Sequence, residues 1–378
     1  MIYKEFRNLK LSSLGLGCMR FPVLDGDVGK VDEEATARLV DYAISHGINY
    51  FDTAWSYHNG NSEELMGRLL SKYPRESYYL ATKFPGHEKG NMHRVEEIFQ
   101  EQLRRCGVEY FDFYLFHNVN ESNIDKYLDD ETYGVYSYLM KQKQEGRIRH
   151  LGFSTHGTIP TMRRFLEAYG ESMEFCQIQL NFFDWSFQDA KGKVELLREF
   201  GLPVWVMEPL RGGKMVGMME EEGAHLKQLR PDETIPAWGF RFLQGIEGVT
   251  VVLSGMSTQE QFQDNIKTFS EDKPLSQEEL SALDRVNQAI RKRTVVPCTG
   301  CGYCAVHCPQ KLDVPYLLSL YSEHVVSRGG FYAPMALSLM PKEKWPNACL
   351  GCRACEGVCP QNIEISALLA DFSGKLKK

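Results

Sequence analysis

The run INYFDTA at residues 48–54 decides how the rest of the chain is read. It is aromatic and β-branched and ends on Asp52-Thr53-Ala54. A stretch with helical spacing, NSEELMGRLL (61–70), follows it. A strand apolar along nearly its whole length belongs in a sheet buried on both faces, as parallel sheets are. Seven more runs share this texture: LGLGCMRF (14–21), YYLATKF (78–84), FDFYLFHNV (111–119), IRHLGFST (148–155), FCQIQLNFF (175–183), PVWVMEPL (203–210) and VTVVLSG (249–255). Helix-like segments alternate with them near 32–46, 61–72, 91–107, 133–145, 158–170, 188–200, 232–245 and 257–268. The first of these opens on Asp32 as an N-cap and closes at Gly47. Eight strand-then-helix units in about 250 residues predict an α/β fold, a TIM (β/α)8 barrel. A doubly wound sheet would show about six strands.

The 378 residues are 43% hydrophobic and 25% charged, which excludes disordered and low-complexity chains. Lys+Arg 43 against Asp+Glu 50 gives −7, with no sign of nucleic-acid binding. No apolar run approaches the ~18 residues of a membrane span. The start, MIYKEFRNLK, carries Lys4, Glu5 and Arg7 where a signal peptide needs an apolar core. The expectation is a cytoplasmic protein with neither a nucleic-acid nor a membrane partner. The residues before the first barrel run read as a hairpin closing the barrel floor. LSQEELSALDRVNQAIRK (275–292) reads as an amphipathic helix on the barrel exterior.

Of 11 cysteines, only Cys18, Cys106 and Cys176 precede residue 297, and they read as small apolar fillers. The others cluster between 298 and 359, which in a reducing compartment points to metal or redox chemistry. Cys298-x2-Cys301-x2-Cys304-x3-Cys308-Pro309 recurs as Cys349-x2-Cys352-x2-Cys355-x3-Cys359-Pro360. Three thiolates at intervals of three curl around one face of a cubane, and the fourth, before a proline, points to a second cluster. One [4Fe–4S] cluster is expected on Cys298, Cys301, Cys304 and Cys359, the other on Cys349, Cys352, Cys355 and Cys308. Zinc sites would favour two CxxC pairs per metal. The insert between the runs contains VPYLLSLYSEHVVS and PMALSLM, both with helical spacing. Two domains are expected: 1–292, the barrel with its outer helix, and 293–378, a mainly helical two-cluster ferredoxin-like domain.

Barrel enzymes carry their reacting groups at the C-terminal ends of strands. Those ends supply Asp52 and Tyr57, then Lys83, then His117. A phenol with a pKa near ~10 is a weak acid at neutral pH. A nearby ammonium lowers that pKa, and a carboxylate holds the ammonium charged and aimed. A histidine within reach of a carbonyl can polarise it. The set suits protonating an alkoxide as hydride arrives at carbon. His58, His156 and His307 read as polar surface residues. Trp55 and Trp185 are candidate pocket walls.

In these segments the chain resembles the aldo-keto reductase family. FDTAWSYHNGNSEELMGRLL, ATKF, FHNV, GFST, QIQLNF, MEPLRGG and SGMSTQEQFQDN are similar to that family's motifs in order and position, across residues 1–290. The resemblance implies Asp52, Tyr57, Lys83 and His117 as the catalytic tetrad, with Tyr57 the general acid. It implies NADP or NAD as cofactor beside the two [4Fe–4S] clusters, and a small-molecule carbonyl or alcohol as substrate. Ser154 and Gln177 would meet the nicotinamide carboxamide, with Met207, Pro209 and Leu210 beside the ring. Gly255, Met256 and Ser257 would take the adenosine-side phosphate at a helix N-terminus. Asn265 would hold the adenine. Two departures stand out. Met207 occupies a place that the family usually gives to an aromatic ring. Gln261 stands where many NADP-selective members have an Arg, and it cannot supply charge to a 2′-phosphate. Weak discrimination between the nucleotides, or a preference for NAD(H), is therefore expected.

Two other functions fit the same motifs. One is an electron-transfer enzyme using the clusters with an external redox partner protein. The other is a nucleotide-binding redox sensor with structural clusters. The first meets a chemical difficulty: clusters pass electrons singly, nicotinamide passes a hydride, and no flavin motif is apparent.

Overall fold

Ten strands organise the computed structural model, which describes residues 1–377 except Lys89, Thr299, Cys301 and Pro360 and the side chains of Thr294 and Tyr303. β1 (Tyr3–Phe6) and β2 (Leu9–Ser12) form an antiparallel hairpin. The others are β3 (Leu14–Gly17), β4 (Tyr50–Asp52), β5 (Tyr79–Phe84), β6 (Phe111–Val119), β7 (Ile148–Thr155), β8 (Cys176–Gln179), β9 (Val204–Met207) and β10 (Val249–Ser254). They run parallel in a closed barrel, and β10 completes the ring by pairing with both β9 and β3. All eight expected strands are present, but several are shorter than their apolar runs. The ladder stops at the barrel rim, and the apolar residues beyond it, such as Phe21, Phe182 and Leu210, are buried in loops instead.

The hairpin is the floor. Phe6 and Leu11 bury against Tyr50, Phe113, Phe175 and Trp205, and the Phe6 and Trp205 rings meet edge-on at 5.1 Å. With that end plugged by aromatic side chains, the strand C-termini form the open rim. Asp32 caps the helix Glu33–Ser45 by accepting from the Ala35 N–H at 2.9 Å, and Gly47 turns the chain out at φ 89°.

The chain divides into two compact units. One is Met1–Gly212 with Leu226–Leu280; the other is Gly213–His225 with the residues from Ser281 onward. The division falls inside the helix Gln277–Thr294. From Ser281 onward no strand occurs among the described residues. The insert between the cysteine runs forms the expected helices, Val314–Val326 and Tyr332–Ser338. With Ile365–Lys375 they enclose a core of Leu317, Leu318, Leu337, Ile365 and Phe372. The second unit also contains the helix Lys214–Glu222, which follows β9 in sequence. Within that unit the Lys214 ammonium donates to the Ser327 carbonyl, and Arg293 pairs with Glu221 at 2.8 Å and Glu222 at 3.1 Å. The sequence reading assigned no element here, because the buried face is Met215, Met218 and Met219 rather than a run of branched residues.

Candidate active site

The residues picked from the strand ends converge. Lys83, fully buried, donates from Nζ to Asp52 Oδ1 at 2.6 Å and to the Thr53 carbonyl at 2.8 Å. The Tyr57 hydroxyl lies 3.5 Å from the same Nζ. The Tyr57 and His117 rings stand edge to face, with centroids 6.2 Å apart. The register explains the convergence. Asp52 pairs with Ala81 across β4 and β5, so the next inward-facing position, Lys83, reaches back one strand. Lys83 pairs with Leu115, which brings His117 to the same level of the rim.

A network behind the site holds these strand ends. Ser62 donates to the Cys18 carbonyl at 2.9 Å and sits 2.9 Å from the Thr53 hydroxyl. Glu63, buried, accepts from Thr82 at 2.6 Å and Gln102 at 2.7 Å, and Gln102 also donates to the Lys83 carbonyl at 3.0 Å. Ser62 and Glu63, which open the helix Ser62–Leu70 within the motif FDTAWSYHNGNSEELMGRLL, are therefore a brace. The candidate pocket wall Trp55 lies under the Arg105 guanidinium, 3.8 Å away.

Electrostatics depart from the sequence reading at Tyr57. Burial pushes the phenol above its ordinary range. The Lys83 ammonium is the largest opposing influence, and it does not prevail. For Lys83, burial favours the neutral amine, but Asp52 and Tyr57 together outweigh it and hold the ammonium charged. Burial, with His87, Lys83 and His156 nearby, keeps His117 well below the usual imidazole range. The histidine at this rim is thus a neutral hydrogen-bonding group.

The candidate cofactor residues line the opposite arc. Ser154 and Gln177 are direct register partners on β7 and β8. Ser154 Oγ accepts from the Asn118 N–H at 2.9 Å. Gln177 donates to Met207 Sδ at 3.8 Å, while its Oε1 is buried with no partner. An unmet amide oxygen beside a half-buried thioether fits a carboxamide-bearing ring. Leu210 and Pro209 are buried, and Leu210 packs on Gly239. Asn265 donates to Ser254 Oγ at 3.1 Å. At the Gly255–Ser257 turn, the Gln261 side chain accepts from the Ser257 N–H at 2.7 Å, so one of the expected anion-binding groups is already engaged.

Two residues at this rim escaped the sequence reading. Arg20 lays its stem along Gly255, where a Cβ would come within 3.0 Å of it, and its guanidinium lies against Gly212. No ion pair among the described residues engages it. His87, in the loop after β5, meets the His117 ring edge-on at 4.6 Å. Arg20 lies near the end of the run LGLGCMRF but beyond the strand itself, which stops at Gly17, and His87 sits in no periodic segment, so only strand-end position could have flagged them. A third was misread. His58 is buried, not a surface residue: its Nε2 accepts the Phe21 N–H at 3.1 Å, its Nδ1 donates to the Val28 carbonyl at 2.8 Å, and it stacks on Phe21. His156 is half-buried rather than exposed. Cys18, Cys106 and Cys176 are buried as expected.

The loop after β9 is held in an unusual path. Glu208 and Arg211 adopt left-handed backbone, φ 56° and 47°, which costs a non-glycine residue about 1–3 kcal/mol each. Arg211 forms a two-pronged buried pair with Asp184 at 2.5 and 3.0 Å, and Asn181 donates to the Glu208 carbonyl at 3.0 Å. Asp184→Ala should destabilise the protein by about 3–5 kcal/mol, because it strands a buried guanidinium. Denaturant unfolding checks this; an unchanged midpoint would show that the pair does not hold the loop.

In the second unit, Cys308, Cys349, Cys352 and Cys355 line one cavity, closed by Leu312, Val314 and Leu369. These are the four thiols expected on one cluster. Among the described residues no three His, Cys, Asp or Glu side chains close on a single metal ion. A cubane asks instead for thiolates spread around a cavity. Cys298, Cys304 and Cys359 pack against the same helical core. Cys301 lies outside the described residues.

A floor-plugged (β/α)8 barrel with such groups at its C-terminal rim defines a barrel oxidoreductase. Residues 13–288 match the Aldo/keto reductase family, and the chain belongs to it. Residues 297–364 match the 4Fe-4S dicluster domain. A probable aldo-keto reductase 1 from Glycine max is 30% identical over 215 residues, 55% of this chain and 58% of that one. The chain thus spans little more than half of that relative. The NADH-specific methylglyoxal reductase of Escherichia coli is 26% identical over 331 residues, 74% of this chain and 97% of that protein. The crystal structure of an aldo-keto reductase from Klebsiella pneumoniae in complex with NADPH superposes with a TM-score of 0.62 at 21% identity, covering 76% of this chain and 96% of that one. The protein is an NAD(P)-dependent oxidoreductase of the aldo-keto reductase type. No helix among the described residues is long and apolar enough to cross a membrane.

Proposed function

We propose that the protein transfers hydride between NAD(P)H and a small carbonyl or alcohol substrate, and that residues 293–378 carry two [4Fe–4S] clusters. The observation behind the first part is the Lys83 ammonium seated between the Asp52 carboxylate and the Tyr57 hydroxyl. A bound nicotinamide would supply or accept the hydride. Tyr57 gives its proton to the carbonyl oxygen, or takes it back in the alcohol direction. Lys83 offsets the charge left on the phenol, and Asp52 keeps Lys83 charged and aimed. His117, neutral, donates to the same oxygen and orients it. Gln177 Oε1 and Ser154 meet the carboxamide, and Met207 packs the ring face. Cys308, Cys349, Cys352 and Cys355 hold one cluster; their common cavity supports that set. Cys298, Cys301, Cys304 and Cys359 hold the other. No disulfide joins the described cysteines, which suits a reducing cytoplasm.

An anaerobic screen tests the reading. NADH and NADPH are offered with a panel of aldehydes and ketones while the visible spectrum is followed. Carbonyl-dependent nucleotide oxidation with the clusters unbleached is expected. Bleaching by nucleotide alone would favour electron transfer to a partner, and binding without turnover would leave a sensor.

Arg20 supplies positive charge to the cofactor, though not at the 2′-position that Gln261 faces. Placed between Gly212 and Gly255, it suits the phosphates common to both nucleotides. Arg20→Ala should weaken NADH and NADPH alike by about 10–100-fold, the worth of a hydrogen bond to a charged group. Fluorescence titration at low and high salt reads this. A loss confined to NADPH would move Arg20 to the 2′-phosphate.

A further inference from the structure

We propose that His58 is a positioning residue that couples the nucleotide's phosphate end to the proton donor. Its ring pins the loop that carries Arg20 to the turn that carries Tyr57. This rests on the reading that Arg20 meets the nucleotide and Tyr57 delivers the proton. His58 follows Tyr57 directly, and Phe21 follows Arg20 directly. Between these neighbours, the Phe21 N–H donates to His58 Nε2 at 3.1 Å, and the two rings stack with centroids 5.4 Å apart at 11°. On its other side His58 Nδ1 donates to the Val28 carbonyl at 2.8 Å. The two partners fix the tautomer, with one ring nitrogen a donor and the other an acceptor. Burial keeps the imidazole below its ordinary range, so the lone pair on Nε2 stays available to Phe21.

Both the turn and the loop depend on that ring. His58 and Asn59 stand in the left-handed region at φ 53° and 55°, and Gly60 follows at φ 92°. Such backbone persists in non-glycine residues only where the surroundings hold it. Here it directs the His58 ring to Phe21 while Tyr57 stays beside Lys83. The loop has little apolar anchorage of its own. Leu24 and Val28 are 50% and 55% exposed, and its buried ring is Phe21. A second tie comes from Asn61, which donates from Nδ2 to the Gly29 carbonyl at 2.9 Å. Asn59 lies so close that a Cβ on Gly29 would meet its amide at 2.7 Å.

The same segment is held from the other direction at the candidate phosphate turn. Ser257 Oγ donates to the Arg20 carbonyl at 2.6 Å, and the Arg20 stem lies along Gly255. Arg20 is thus fixed at its carbonyl by Ser257 and, one residue on, by His58. Releasing the His58 side would free Arg20 to move and Tyr57 to drift from Lys83. One side chain therefore bears on both nucleotide affinity and turnover, and small misplacements of a reacting group cost rate steeply.

His58→Phe keeps a ring on Phe21 and removes both hydrogen bonds. It should weaken NADH and NADPH alike by about tenfold. It should also lower kcat for carbonyl reduction at saturating nucleotide by about tenfold. His58→Gln, which retains a donor and an acceptor, should recover part of both. The discriminating measurement is the cycle with Arg20→Ala, read by fluorescence titration of the nucleotide. Because His58 acts through Arg20, the two affinity losses should fall short of adding. The rate losses of His58→Phe and Tyr57→Phe should likewise not add. A role in stability alone would lower the melting temperature and leave the affinity and kcat of the folded protein unchanged. That outcome, or fully additive losses, would overturn the assignment. If the nucleotide cycle comes out as expected but no carbonyl is reduced, the carbonyl-reduction reading fails and the tie to Arg20 stands. If carbonyls are reduced and His58→Phe changes neither quantity, this inference fails alone.

Discussion

Tyr57→Phe should lower carbonyl reduction by about 10²–10⁴-fold and leave nucleotide affinity nearly unchanged. The substitution keeps the ring against His117 and removes only the hydroxyl that faces Lys83. Lys83→Met should also cost most of the rate, for two reasons. It removes the main influence opposing the rise of the Tyr57 pKa, and it leaves the Asp52 carboxylate buried without its cation. The two losses should not add in the double variant, because both abolish one proton-delivering unit. The pH dependence follows from the raised phenol. Tyr57 keeps its proton through neutral pH and beyond the ordinary phenol range, so reduction should stay level there and fall only at higher pH. Alcohol oxidation, which needs the phenolate, should rise over the same interval. Steady-state rates in both directions measure this. Retention of most of the wild-type rate in Tyr57→Phe would hand the barrel to the sensor or electron-transfer reading. A fall in reduction near neutral pH would show that the Lys83 charge outweighs burial after all.

Anaerobically prepared protein should contain about eight iron and eight sulfide per chain, and Cys308→Ser should lose about half of both. The reason is the shared cavity. Cys308 comes from the first cysteine run but lines the same space as Cys349, Cys352 and Cys355. Damage should therefore fall on the cluster of the second run. Metal and sulfide analysis with the visible spectrum gives the readout. A full iron count in Cys308→Ser would refute the crossed ligand set, and stoichiometric zinc with no broad visible absorption would refute iron–sulfur altogether.

The barrel was legible because its strands are buried on both faces, and runs such as FDFYLFHNV write that burial directly into composition. The strand ends were less legible. Hydrogen-bonded register ends a strand, and hydrophobicity does not, so LGLGCMRF yields only Leu14–Gly17. Asp52, Lys83 and His117 could be found because each lies in the last residues of its strand, and Tyr57 because it follows β4 by a short, countable interval. Arg20 and His87 lie in irregular loops, where function depends on a fold back toward the rim that no periodicity encodes. The Tyr57 pKa was misjudged for a related reason. The pairing of phenol and ammonium is visible in sequence, but the degree of burial that opposes it is not. His58 shows the same limit. A polar residue in a turn looks exposed until the turn, with φ 53° at His58 itself, places its ring against Phe21.

The helix Lys214–Glu222 has a consequence for how such a chimera can be assembled. It is encoded in the middle of the barrel, yet it belongs to the compact unit that contains the cysteine runs, where Lys214 meets Ser327 and Arg293 meets Glu221 and Glu222. The iron–sulfur module is therefore threaded rather than appended. Excising everything after residue 292 would orphan a splint that remains behind in the barrel's own gene segment, and transplanting residues 293–378 alone would leave that splint out. A working exchange with another barrel has to move two pieces of polypeptide together.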